Sequence, residues 1–553
     1  MQNTRLRCNE SRLVSPSHGS MFALLLAFAA GCGASAETSD GSPEFASVTQ
    51  ADSQVPNPPP LSRVAVPQPI GGNIVNVPAA IRLGKALFWD IQAGGDGQTA
   101  CATCHAHAGA DNRLTNTMNP GPNGTFESGG VTGPGQTWNG TSVAQNADDI
   151  IGSQGVVGAV FSAIDANPNN AADSCTPDQT APFLANRRVT GRNAPTVIGA
   201  VFFRDNFWDG RANHRFNGIN PFGDTANNVD GNFLDADNAS LASQAVGPPN
   251  NPVEMSCLGR LFNGSNSLAS KLLARTPLGK QVVSTTDSVL GALANATGTG
   301  LTTSYTQMVV EAFGAGQGAN AQAEFSMFWG QAVQAYEATL IPDQTPFDKF
   351  LAGDNNAMTS NQKAGWTAFK GKGGNPTDRS CFSCHAGSEL SDATVSYAAA
   401  HGTTNVDGGD QGFHNIGVRP TNDDLGRGAT GPNGVDWSVS GSNFDRGAFK
   451  TPGLRNVKLT GPYFHDGGVA TLAEVFEFYH DHGFFENSGS LASQFDRLNT
   501  SGGDRNSIVD FLTNALTDCR VEKRRAPFDG PALPLPNGAA LAAVGANGTG
   551  SCP

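Results

Sequence analysis

The sequence predicts a mainly α-helical protein of two domains interrupted by long irregular insertions, and three observations carry that prediction. At 553 residues the chain exceeds what one hydrophobic core supports, so at least two domains are expected. Apolar residues recur at helical spacing in "PAAIRLGKALFWD" (78–90), "AEFSMFWGQAVQAYEATLI" (323–341) and "NQKAGWTAFKG" (361–371), whereas strand-like alternation is scarce. Glycine fills 68 positions and charged residues make up only 15%, so runs such as "NPGPNGTFESGG" read as extended loop within a folded protein.

The N-terminus reads as an export signal. Arg5, Arg7 and Arg12 precede the apolar run "MFALLLAFAAGCGASAE". The stretch from Met21 to Ala30 is too short for a permanent bilayer helix. Two cleavage sites compete. "AAGC" resembles a bacterial lipobox, which would leave a lipidated Cys32 as a membrane tether, and "ASA" before Glu37 suits ordinary signal peptidase. The expectation is a signal segment at 1–36, a flexible linker at 37–66, and a periplasmic protein, anchored to the outer membrane if the lipobox is used. A formal charge of -14 and a pI near 5.1 argue against nucleic acid and would suit a basic protein partner.

The ten cysteines sort by spacing. Cys8 and Cys32 fall in the leader. Cys175, Cys257, Cys519 and Cys552 allow three disulfide pairings in an oxidising compartment, with Cys519 to Cys552 favoured as a pin on the C-terminal tail. Cys101-Ala-Thr-Cys104-His105 and Cys381-Phe-Ser-Cys384-His385 both fit C-x-x-C-H. Two thiols three residues apart can form thioethers to the two vinyl groups of one haem, and the histidine that follows lies beneath the iron. A zinc site would not need His directly after each pair, and a thioredoxin-like motif would need a βαβ context that is absent. Two covalent haem c groups are therefore predicted, each in its own cytochrome c-like domain: 67–345 around His105, and 346–525 around His385, followed by a tail at 526–553.

Further motifs follow in order: "RNAPT", "FWDGR", "NPVEM", "GAFKTPGLRNVKLTGPYFHDG" and "TLAEVFEFY". With the two haem motifs they resemble the bacterial dihaem cytochrome c peroxidases and their MauG-type relatives, over about residues 78 to 515. Insertions near 112–185, 214–243 and 260–320 have no placed counterpart. The resemblance implies that peroxide reacts at the haem of His105 and that electrons enter or are stored at the haem of His385. It implies Trp208 as the relay between them, and Asn193, Thr460 and Pro462 as calcium ligands, a donor set of amide and carbonyl oxygens that Ca²⁺ accepts. "SQAVGPPNNPVEM" supplies Gln244, Pro248 and Glu254 at the family's peroxide pocket, with Glu254 moving the proton between peroxide oxygens and Gln244 steering them.

Two departures shift this reading. No histidine occurs between His107 and His214, so the histidine that caps the resting N-terminal haem in many relatives is missing, and an open or water-filled sixth position is expected. No methionine follows Met358, so the usual sixth ligand of the C-terminal haem is missing too. Tyr479, fourteen residues beyond His465, stands where MauG-type enzymes place that ligand. In "TLAEVFEFYHDHG" a capping box of Thr471 and Glu474 starts a helix and Gly483 ends it, and Leu472, Val475, Phe476 and Tyr479 share one face. Tyr479 is the preferred ligand, with His482 near the same face and His480 off it.

The resulting expectation is an exported dihaem peroxidase consuming hydrogen peroxide, with MauG-like sharing of oxidising equivalents in a high-valent dihaem state. The partner is a small redox protein donor, or a protein or organic substrate. A dihaem oxygenase acting on an apolar polymer, like the related rubber oxygenases, and a non-catalytic electron-transfer cytochrome are the alternatives.

Overall fold

The computed structural model describes residues 56–223, 233–371, 380–432, 434–496 and 501–553. The signal segment with Cys8 and Cys32 lies outside them. Among the described residues the helices run α1 (Val77–Trp89), α2 (Cys101–His105), α3 (Ser240–Ala245), α4 (Leu268–Leu273), α5 (Tyr305–Phe313), α6 (Phe325–Glu337), α7 (Pro346–Leu351), α8 (Ser360–Lys370), α9 (Val395–His401), α10 (Leu472–His480), α11 (Ser493–Asp496), α12 (Arg505–Asp510) and α13 (Cys519–Glu522). The strands are short and form antiparallel pairs: β1 (Met118–Asn119) with β2 (Ile150–Ile151), β3 (Gln154–Val157) with β6 (Arg187–Val189), β4 (Ala159–Ala163) with β5 (Ser174–Pro177), and β7 (Phe413–His414) with β8 (Phe449–Lys450). The fold is helical with few strands.

The two largest hydrophobic clusters among the described residues organise most of these elements. The first is built on α1 and α6. Asn76 caps α1 by accepting from the Ala79 N–H at 3.2 Å, and Pro78 sits where a missing N–H costs nothing. The stripe Ala79, Ala80, Leu83 and Leu87 is fully buried against Phe328, Trp329, Ala332 and Tyr336 of α6. Any side chain on Gly84 would collide with the Ala332 carbonyl, so glycine is what lets the two helices approach. The second core joins Phe347 of α7, Trp366 and Phe369 of α8, Phe476 of α10 and Phe511, with Phe347 and Trp366 edge to face at 4.7 Å.

Three stretches differ from the expectations. The region 260–320 is not a loop: it supplies α4 and α5, and Tyr305, Met308, Val309 and Phe313 lie in the first core. The tail at 526–553 returns to that same core through Phe528 and Leu533, and Asp529 approaches the fully buried Lys85 at 3.6 Å. Residues 57–66 of the expected linker are docked: Asn57 Oδ1 accepts from Trp366 Nε1 at 2.9 Å, and the Leu61 N–H donates to Asp348 at 3.0 Å. The remaining four cysteines pair as Cys175–Cys257 and Cys519–Cys552. Among the described residues no helix is long and apolar enough to cross a membrane.

Candidate active site

The first cavity, of about 500 Å³, opens beside α2. The Ala100 N–H donates to Thr103 Oγ1 at 2.9 Å, winding "CATCH" into one turn that puts Cys101, Cys104 and His105 on the cavity wall. Both thiols are free, and burial raises their pKa values, that of Cys104 to about 12. His105 Nδ1–H donates to the Gly109 carbonyl at 2.8 Å. Burial lowers the imidazole's pKa, so the ring is neutral and Nε2 is left for a ligand.

The predicted distal residues line this same cavity. Gln244 projects from α3, and its Oε1 is buried without a hydrogen-bond partner. Pro248 opens the short turn Pro248–Asn250. Asn251 holds the next turn, its carbonyl and Oδ1 accepting from the Glu254 N–H at 3.2 and 3.3 Å. Burial raises the Glu254 carboxyl above the usual range, and the charge of Arg211 opposes that rise. Among the described residues His105 is the only histidine lining the cavity; His107 is exposed, and His214 is turned to Asp205 at 2.9 Å.

Trp208, Asn193, Ala194, Pro195 and Asp424 line both this cavity and the second, so they form the wall between them. Phe207 adopts a left-handed φ of 60° at the turn that presents Trp208, with Arg211 4.1 Å above its ring. Asp209, fully buried, takes ion pairs from Arg192 and Arg211 and so closes that turn.

The second cavity, of about 210 Å³, is lined by Cys381, Cys384, His385 and Tyr479. His385 Nδ1 lies 3.2 Å from the carbonyls of both Leu390 and Pro452, and burial lowers its pKa, repeating the arrangement at His105. Leu472, Val475, Phe476 and Tyr479 of α10 all face this cavity; His480 instead stacks on Phe476 and His482 is exposed. Tyr479 is held by Phe478 and Phe495 at 5.4 and 5.8 Å, and burial pushes its phenol pKa up.

The caps of α10 differ in detail from the expectation. Thr471 accepts from the Glu474 N–H, but the Glu474 carboxylate takes the Thr471 hydroxyl rather than its N–H. At the other end His482, with φ of 61°, occupies the left-handed position, and the Gly483 N–H bonds back to the Phe478 carbonyl at 2.9 Å. That turn is what carries His482 away from the cavity.

Residues 78–356, half of the chain, match the family model described as di-haem cytochrome c peroxidase. The chain belongs to that family. Among its relatives, cytochrome c peroxidase Ccp of Escherichia coli is 27% identical over 412 residues, covering 73% of this chain and 54% of the relative. Methylamine utilization protein MauG of Methylorubrum extorquens is 32% identical over 181 residues, 33% of this chain and 42% of the relative. The chain spans about half the length of the curated relatives it matches. A solved structure of the diheme peroxidase BthA from Burkholderia thailandensis aligns with a TM-score of 0.42 at 19% identity, covering 83% of this chain and 91% of that one.

Family membership implies two c-type haems, and the residues fit them: each cavity pairs two free thiols with a neutral imidazole whose Nδ1 is already engaged. At the expected calcium position, Asn193 Nδ2 donates to the Pro462 carbonyl at 2.7 Å, and Thr460 lines the same cavity.

Some cavity residues escaped the sequence reading. Glu337, at the C-terminal end of α6, lines the first cavity, and burial pushes its carboxyl up to about 8. Trp437 also lines it, 5.8 Å from Arg211. Lys450 lines the second, its Nζ 3.3 Å above the Phe203 ring, and burial pulls its ammonium pKa to about 7. The one available signal was Lys450's place within "GAFKTPGLRN". Glu337 and Trp437 carry no local signature.

Proposed function

We propose that this protein reduces hydrogen peroxide in the cavity of His105, Gln244 and Glu254, drawing electrons across Trp208 from the cavity of His385 and Tyr479. The carrying observation is that an imidazole with a free Nε2, an unpartnered amide oxygen and a carboxyl of raised pKa line one cavity. Haem held by Cys101, Cys104 and His105 supplies the iron that binds peroxide, and haem held by Cys381, Cys384, His385 and Tyr479 supplies a second redox store.

The chain's own residues then do the following. Gln244 Oε1 accepts a peroxide O–H and fixes its orientation. Glu254 takes the proton from one peroxide oxygen and returns it to the other as the O–O bond breaks. Burial, which raises its pKa, eases the taking up of that proton. Pro248 presents an apolar surface beside them. Among the described residues no other histidine lines the cavity, which supports a haem position that would be left open or water-filled, so that peroxide would react without prior reduction.

Tyr479 would serve as an anionic ligand that favours the oxidised state of that haem, which supports MauG-like sharing of the stored oxidation and its use on a protein or organic substrate. A small redox protein is the alternative electron source, and the charge of -14 suits a basic one. A calcium ion held by Asn193, Thr460 and Pro462, a division into two haem domains, and export with cleavage near Cys32 or Glu37 complete the proposal. The test is Glu254→Gln in the haem-loaded protein. Peroxide consumption by rapid mixing is expected to fall by about 10²-fold or more, and an unchanged rate removes Glu254 from the reaction.

A further inference from the structure

The Glu254 loop is fastened to the insertion at 112–185 by three kinds of bond. Backbone pairing comes first: the Leu258 N–H donates to the Ala159 carbonyl at 2.8 Å, Phe161 N–H to the Leu258 carbonyl at 2.9 Å, and Val156 N–H to the Val253 carbonyl at 3.3 Å. The Glu254 loop thus runs as an added edge to β3 and β4. A covalent link comes second, the disulfide from Cys175 in β5 to Cys257, three residues beyond Glu254. Buried charge comes third. Asp173 of the insertion pairs with Arg260 at 2.8 Å and with Lys271 at 2.6 Å, all three side chains wholly buried, and Arg260 also donates to the Pro249 carbonyl. Packing is tight as well, since a side chain on Gly155 would overlap the carbonyls of Val253 and Glu254.

The opposite end of the insertion holds the other site. The Ile151 N–H donates to the Asp466 carbonyl and the Val143 N–H to the Gly468 carbonyl, both at 2.8 Å. Ser142 Oγ accepts from the Ala470 N–H at 2.9 Å and donates to Glu474 at 2.9 Å, at the start of the helix that carries Tyr479.

We propose that this insertion is a brace that positions Glu254 for proton transfer, with Gly155 and the Cys175–Cys257 disulfide as positioning residues. The proposal rests on Glu254 being the acid–base group. A carboxyl that passes a proton between two oxygens must stay within hydrogen-bond reach of both, and a shift of about 1 Å can cost on the order of 10²-fold in rate. A loop of mostly polar and proline residues, "GPPNNPVEM", reaches the first core through Met255 alone. The strand edge, the cross-link and the buried ion cluster hold it from outside the loop.

The test compares the haem-loaded parent with Gly155→Ala, with the double variant Cys175→Ser/Cys257→Ser, and with Glu254→Gln. Two rates are measured for each: reaction of the oxidised protein with H₂O₂, which needs proton transfer, and binding of carbon monoxide to the reduced protein, which does not. Both brace variants are expected to slow the peroxide reaction by about 10- to 100-fold while carbon monoxide binding stays at the parent rate. Unchanged peroxide rates in both, or equal losses in the two reactions, overturn the brace. If Glu254→Gln slows peroxide and the brace variants do not, the brace alone falls; if Glu254→Gln has no effect, both readings fall.

Discussion

The indole nitrogen of Trp208 donates to the backbone carbonyl of Asn193 at 2.8 Å, and the Trp208 carbonyl accepts from the Lys450 N–H at 2.7 Å. One residue is thus tied to the wall segment 193–195 through its side chain and to β8 through its backbone.

Trp208→Phe keeps an aromatic ring but leaves the Asn193 carbonyl without its indole donor, at a cost of about 1–3 kcal/mol. The expected functional effect is a delay between peroxide addition and the spectral response of the His385 haem. Rapid-mixing absorbance at both haem signatures checks it, and a response as prompt as the parent's removes Trp208 from the path.

Tyr479→Phe deletes the only phenol oxygen facing the second cavity among the described residues apart from that of Tyr463. Loss of an anionic ligand is expected to raise the reduction potential of the His385 haem. Spectroelectrochemical titration reads this directly, and an unmoved potential assigns the sixth position to something else.

Asp205 yields a pH prediction. Burial alone would raise its carboxyl, but the His214 hydrogen bond and the charges of Arg427, His214 and Arg204 outweigh burial and hold the pKa at about 2, against 3.8 unperturbed. A depressed carboxylate contributes stability that is complete above the unfolded pKa and lost as pH falls through the folded one. Roughly 2 kcal/mol is therefore expected to disappear between about pH 4 and pH 2. Denaturant titrations across that window should show the loss in the parent, and Asp205→Asn, less stable at pH 7, should lack it.

The Cys519–Cys552 bond spans 33 residues and fastens the tail that brings Phe528 and Leu533 to the first core. A loop of that length corresponds to about 3–4 kcal/mol of unfolded-chain entropy. Cys519→Ser/Cys552→Ser should lower the midpoint of chemical unfolding accordingly, with the peroxide rate at low temperature unchanged.

Calcium chelation is expected to slow transfer between the two haems, because Asn193 both reaches the Pro462 carbonyl and accepts from Trp208. Restoration by added Ca²⁺ but not by Mg²⁺, followed by the same rapid-mixing signal, distinguishes a calcium site from general salt effects.

Much of both cavities was legible locally. C-x-x-C-H places two thiols and an imidazole on one turn by its spacing alone, and the 3.6-residue period puts Tyr479 on the face of Leu472, Val475 and Phe476 and leaves His480 off it. His482 was ambiguous because its direction depends on the left-handed turn after the helix, which spacing does not encode. Helix α4 is only six residues long and offers little pattern to read, whereas α5 carries a legible one that was overlooked, Tyr305, Met308, Val309, Ala312 and Phe313 at helical spacing behind the Ser304 cap.

The sequence by itself determined the covalent chemistry: which residues can hold haem, which histidine and methionine ligands are missing, and which face of the last cavity helix looks inward. Those are properties of side-chain type and short-range spacing. Only the tertiary structure decided that Glu337, Trp437 and Lys450 enter the cavities, that the tail returns to the first core, and that Gly155 and Cys175 brace a loop 80 to 100 residues further along. These contacts join segments with no shared local pattern. They follow from how the two cores and the insertion pack together, which is set by the whole chain at once.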